Sequence, residues 1–173
     1  MYFARILFTL LTLSHMAIGQ SSKLPTFERF TVTSVFLGRA VGPSLRSEKD
    51  PTRREKIKEG AKAGPNFAGW YTIAEWECGA TCRSMALIDT RNGTVHGGPF
   101  ESLGLLPGFL YEGKYRLEHH TATPLTYKFN SRLLIVRGCP ENQEDACASY
   151  FYEWGWNKFK LLAKVPAAPA SKR

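Results

Sequence analysis

The sequence predicts a mainly β protein: a small antiparallel β-sandwich or curled meander sheet with one short helix. Three observations point there. Runs rich in β-branched and aromatic residues recur through residues 64–163, among them YTIAEW, RSMALID, RLLIVR and ASYFYEW. The segments between them are too short for the crossovers that parallel strands need. One stretch alone, after Asp50-Pro51, carries clear helix signals. The units DTRNGTV and NSRLLIV would also suit a propeller blade. A chain of 173 residues cannot supply four such blades and the N-terminal third as well.

Each element has a local reason. Residues 20–26 (QSSKLPT) form a lead-in. FERFTVTSVFLG places Phe27, Phe30, Val32, Val35 and Leu37 in partial alternation, and a first strand is expected there. Gly-Pro marks GRAVGPSLRSEK as loop. Asp50 can cap free N–H groups, and Pro51 forfeits no intrahelical bond at the first helical position. The helix continues through TRREKIKE, with Glu55–Lys58 and Glu59–Lys62 as i,i+3 pairs. Gly60 or Gly64 can end it. Ile57 is its only large apolar residue, so it belongs on the surface.

Residues 70–76 and 83–89 read as partner strands. Residues 90–93 (TRNG) read as a turn, with Asn-Gly supplying positive φ angles. Thr94–His96 starts the return. Residues 97–113 read as a long Gly/Pro-rich loop. Residues 114–118 and 126–129 are weaker strands, and 132–137 (RLLIVR) is a buried one. Residues 148–154 and 158–163 make a final hairpin. The Pro/Ala-rich tail at 164–173 is expected to be disordered.

The N-terminus predicts export. Arg5 precedes the short apolar stretch ILFTLLTLSHMAI, and small Ala17 and Gly19 suit a cleavage point after residue 19. No cysteine follows to accept a lipid. No other run approaches the roughly 18 apolar residues of a membrane helix. The expected organisation is therefore a signal peptide at 1–19, an N-terminal strand, loop and basic helix at 20–63, an antiparallel core at 64–163, and the tail. Residues 20–163 form one domain, periplasmic or extracellular, with no integral membrane span. The whole chain carries +8. Ten basic against five acidic residues in 20–63 concentrate that charge in the N-terminal third. Such a face attracts anionic glycans, headgroups or nucleic acid, but is more commonly just solvated.

Four cysteines remain: Cys78, Cys82, Cys139 and Cys147. In an exported chain disulfides are the default. Each close pair brackets a short loop between expected strands, so local pairing, 78–82 and 139–147, is favoured over long-range pairing. The entropic gain is about 2 and about 2.6 kcal/mol for the two small rings. Thioredoxin-type chemistry uses two intervening residues at a helix start, and here there are three in a strand context. The spacings also fit zinc knuckles poorly.

The stretch GPNFAGWYTIAEWECGATC resembles a family of small secreted bacterial proteins that share GPNFAG-x-YT, then a tryptophan and a CG-x-x-C pair. Here these are Gly64–Gly69, Tyr71-Thr72, Trp76 and Cys78–Cys82. The resemblance continues through Asp89–Gly93, Ser131–Leu134 and Phe151–Trp154, and covers roughly residues 55–163. It departs at Trp70, where a smaller or His-type residue is expected, and at Asn130, where Asp is expected. The family has no established activity. The resemblance implies secretion and a single fold, and supplies no mechanism.

Candidate chemistry is sparse. His96, His119 and His120 do not make a convincing metal site, because adjacent strand residues face opposite ways. Ser84, Ser131 and Ser149 lack a nucleophile-elbow context. Glu75 and Glu153, each beside a tryptophan, are the acids a hydrolase would use, although acid-out, aromatic-in alternation explains them equally. The aromatic strands are the strongest signal. Trp70, Tyr71 and Tyr152, with Arg83 and Arg132, are the candidate ligand-binding residues, on an exposed platform for a glycan, peptide or protein. The expectation is a binding or structural module without cofactor, metal or nucleic acid. A basic chain would also be repelled by a cationic lysozyme-type target.

Overall fold

The computed structural model describes residues 23–105 and 124–167. The expected signal peptide, the expected strand at 114–118, His119, His120 and residues 168–173 lie outside the described residues. Eight strands form one antiparallel sheet: β1 (Tyr71–Gly79), β2 (Cys82–Asp89), β3 (Val95–Gly97), β4 (Leu103–Gly104), β5 (Leu125–Tyr127), β6 (Leu133–Pro140), β7 (Ala148–Gly155) and β8 (Lys158–Pro166). The path runs β1-β2-β4-β6-β7-β8, with β3 on β2 and β5 on β6.

Two-residue β4 joins two wings. Its rows are Arg83–Leu103–Pro140 and Cys82–Gly104–Cys139. The wings curl so that the same face of each turns inward. There Ile73, Met85 and Leu87 from one wing share a core with Leu125, Leu134, Val136 and Trp154 from the other. The rings of Tyr71 and Trp154 meet edge-on with centroids 5.3 Å apart, and Phe67 lies 6.3 Å from Phe159. The expected curled antiparallel sheet is what the chain adopts.

Helix α1 (Pro51–Ala61) covers the outer face of β1 and β2. The expected cap is present: the Asp50 side chain accepts from the Thr52 N–H at 2.9 Å. Ile57 is buried among Leu45, Ala74, Ala86 and Ile88, a gain of about 2 kcal/mol. Gly60 does not stop the helix. A Cβ there would lie 2.4 Å from the Ala74 side chain, so the residue permits close approach to β1. Gly64, at φ +68, follows beyond the last turn.

The expected first strand does not form. Phe27–Phe30 is a short 3-10 turn, followed by a single bridge between Thr31 and Ser131. Phe27 and Phe30 are spaced by three, the 3-10 period, and both pack on Leu133, Ile135 and Phe151. Beyond them the chain runs as a strap, with Val32 donating to Asn130, Phe36 to Gly69 and Val41 to Thr90. The expected loop at 97–113 contains β4. The expected disordered tail starts too early: β8 runs through Pro166, and the Ala167 N–H donates to Cys147 at 3.1 Å. At the 90–93 turn only Gly93 takes a positive φ, while the Asn92 side chain accepts from the Thr94 N–H.

Both disulfides are local. Cys78–Cys82 spans 5.1 Å between Cα atoms and Cys139–Cys147 spans 4.0 Å. Cys82 and Cys139 flank Gly104 on one ladder row, so both staples sit beside the link between the wings.

Candidate functional site

Strand alternation sends Tyr71, Ile73, Glu75 and Glu77 of β1 to the inner face, opposite Asp89, Leu87, Met85 and Arg83. The same parity on β7 sends Tyr150, Tyr152 and Trp154 inward, opposite Val136 and Leu134 and, from β8, Phe159. The inner face thus has an apolar centre and two polar ends.

At the first end Asp89 is buried, and Arg91 wraps onto it through its own N–H at 3.0 Å and its Nε at 2.9 Å. Burial works against the Asp89 carboxylate, but the Arg91 hydrogen bonds outweigh it and hold the carboxyl below its usual range. The Arg91 guanidinium lies 4.5 Å from the Trp70 ring centre and 5.9 Å from that of Tyr71. His96 touches Tyr71 and Trp154, and burial lowers its pKa against the pull of Asp89. Trp70 and Tyr71 are therefore occupied by the protein itself: Trp70 sits under Arg91, and Tyr71 is core.

At the other end Glu75 accepts from the Tyr127 hydroxyl at 3.4 Å, a bond between the wings. Glu75 reaches solvent, yet the walls around its carboxylate remove part of its hydration. That burial raises its pKa against the opposing effects of Tyr127 and Arg83. The same crowding, with the Glu75 charge, pushes Tyr127 up to about 12. Tyr127, Leu134 and Tyr152 lie on one row of the sheet. Tyr152 is half-buried and stacked on Tyr150, with centroids 6.1 Å apart and planes within 14°. Arg83 pairs with Glu77 at 3.0 Å on this face.

The five expected binding residues are not one platform. Arg83 lies near Glu75, and Tyr152 is on the same face, across Leu134 from the Tyr127 that bonds Glu75. Trp70 and Tyr71 belong to the opposite end. Arg132 pairs with Glu153 at 3.1 Å. Glu153 stands opposite Leu133 on the outer face, whereas Glu75 is on the inner face, so the two acids cannot act as a pair. Sequence reasoning missed Tyr127 and Arg91. No local pattern announces a bond from β5 to β1, but an Asp followed two residues later by Arg in a turn is a readable signal.

A cavity of about 130 Å³ lies between the strap, α1 and β3, lined by Ser44, Ser47, Glu48, Arg53 and His96. It is below the ~300 Å³ of small-molecule pockets. Among the described residues no three His, Cys, Asp or Glu side chains converge as a metal site, and no helix is long and apolar enough to cross a membrane. No protein-family model, curated protein or solved structure matches this chain.

Proposed function

We propose that this chain is a non-enzymatic binding module of the bacterial envelope, taking a hydroxyl-rich ligand such as a glycan at the Glu75–Tyr127–Tyr152 rim. One observation carries the reading: the half-buried Tyr152 ring, backed by buried Tyr150, shares a sheet face with a solvent-reachable carboxylate that already accepts a hydrogen bond. Aromatic faces pack on sugar C–H surfaces, and a carboxylate accepts from hydroxyls. Two disulfides suit an oxidising compartment, and the resemblance to small secreted bacterial proteins points the same way.

The second reading is a hydrolase using Glu75, favoured by its raised carboxyl. Glycoside cleavage needs a second carboxylate roughly 5–9.5 Å away; Glu153 is on the other side of the sheet, and Glu77, on the same face as Glu75, is taken up by Arg83 at 3.0 Å. Binding is therefore the better reading. Co-sedimentation with purified peptidoglycan sacculi tests it. The wild-type chain pellets with sacculi, and Tyr152→Ala with Glu75→Gln lowers the bound fraction about tenfold while the fold is retained. Failure to pellet would remove the glycan reading. Release of soluble reducing ends, lost in Glu75→Gln, would replace it with the hydrolase.

A further inference from the structure

The far end of the β5–β8 wing carries a feature that folding does not explain. Trp156, at the tip of the β7–β8 hairpin, is 97% exposed. It and Asn157 both take positive φ, 52° and 57°, the geometry of a tight two-residue hairpin turn. Asn tolerates that conformation, whereas a bulky side chain is strained in it. Trp156 therefore carries backbone strain with its ring left in water.

Its surroundings are basic. The β5–β6 turn lies at the same end, because the Trp154 N–H donates to the Arg132 carbonyl at 2.9 Å. That turn exposes Phe129, 40% accessible. The 3-10 turn reaches the same end through the Arg132 N–H, which donates to Phe30 at 2.8 Å. Five cations gather here: Arg29, Lys128, Arg132, Lys158 and Lys160. Among the described residues the acids here are Glu28 and Glu153, paired with Lys128 and Arg132. Among the described residues Arg29, Lys158 and Lys160 make no ion pair and are exposed.

We propose that this end is a peripheral docking surface for an anionic lipid bilayer, with Trp156 inserted at the headgroup level and the unpaired cations against the lipid charge. Tryptophan suits that boundary because its ring is apolar and its N–H stays wet. A convex tip ringed by cations fits a flat anionic surface better than a glycan cleft. The excess of positive charge selects anionic over neutral lipid. The surface is separate from the Glu75 rim, so both can be occupied at once.

The test is co-sedimentation of the full chain with vesicles of phosphatidylcholine, or of equimolar phosphatidylcholine and phosphatidylglycerol. Wild type pellets with the anionic vesicles, not the neutral ones, and raised salt releases it. Lys158→Ser weakens binding by about fivefold. Trp156→Asn removes both ring and strain, so it folds with an unchanged or higher melting temperature and weakens binding at least about tenfold. Equal binding to both vesicle types, unchanged binding by folded Trp156→Asn, or no binding by wild type would each overturn the proposal.

Discussion

At one end of the inner face Asp89 is enclosed and fastens Arg91 over Trp70; at the other, Glu75 meets Tyr127 at 3.4 Å with solvent still in reach. Both ends combine a carboxylate, an aromatic set and an arginine. They differ in how completely the carboxylate is answered. Asp89 receives three bonds from one residue in its own turn, and its pKa falls. Glu75 receives one long bond from the opposite wing, and its pKa rises. Satisfaction is thus cheap where partners are adjacent in sequence and incomplete where two wings must meet. An incompletely answered group has hydrogen-bonding capacity left for a ligand.

The sharpest way to break the comparison is to remove Asp89. Asp89→Ala leaves Arg91 without its anchor, strips a partner from the turn and uncovers Trp70. A loss of about 3 kcal/mol is expected, read as a lower urea midpoint with an unchanged slope. Glycan binding by the refolded variant should persist, because the two ends share no residue. Parallel loss of binding at full folding would show that the ends are one site.

The staples give a second, smaller contrast. Cys139 and Cys147 are buried, whereas Cys78 is exposed at a hairpin tip. Replacing Cys139 and Cys147 together with Ala is expected to cost about 2.6 kcal/mol from the ring alone, plus a packing penalty. Replacing Cys78 and Cys82 costs about 2 kcal/mol or less. Thermal melts of the two double variants rank them. The reverse ranking would mean that the corner at β4 does not depend on Cys139–Cys147.

What could be read in the sequence follows the same division between adjacent and distant partners. The Asp50 cap, Pro51 at the helix start, the hairpin of 148–154 with 158–163 and both local disulfides rest on neighbours in sequence, and they were legible. The segment at 27–37 was misread because two phenylalanines at spacing three look like partial alternation until the sheet they cover is known. β4 was invisible since two residues carry no period. The site divides likewise. Arg83, Arg132 and Tyr152 were grouped with Trp70 and Tyr71 on one exposed platform, whereas the sheet puts Arg83 and Tyr152 on the inner face and Arg132 pairs with Glu153. Tyr127 had no signal, as its role arises only when the wings curl together.

Titration gives the smallest effect and the finest test. A carboxyl whose folded pKa is raised binds more protons folded than unfolded, so stability falls as pH rises through the window just above the ordinary Glu range. Glu75 should contribute that loss, small because the group reaches solvent. Asp89 has the opposite sign: its contribution is present above the ordinary Asp range and is lost as pH falls through its lowered folded value. Urea midpoints measured from acid to neutral pH should therefore rise through the Asp89 window and sag slightly above it. Glu75→Gln should abolish the sag, leave the acid limb intact and stabilise the neutral form by under ~1 kcal/mol. A neutral Gln still accepts from Tyr127, so the wings stay joined. If Glu75→Gln instead destabilised the protein at neutral pH, the Glu75–Tyr127 bond would be a clasp like Asp89–Arg91, and the rim would lose its spare capacity for a ligand.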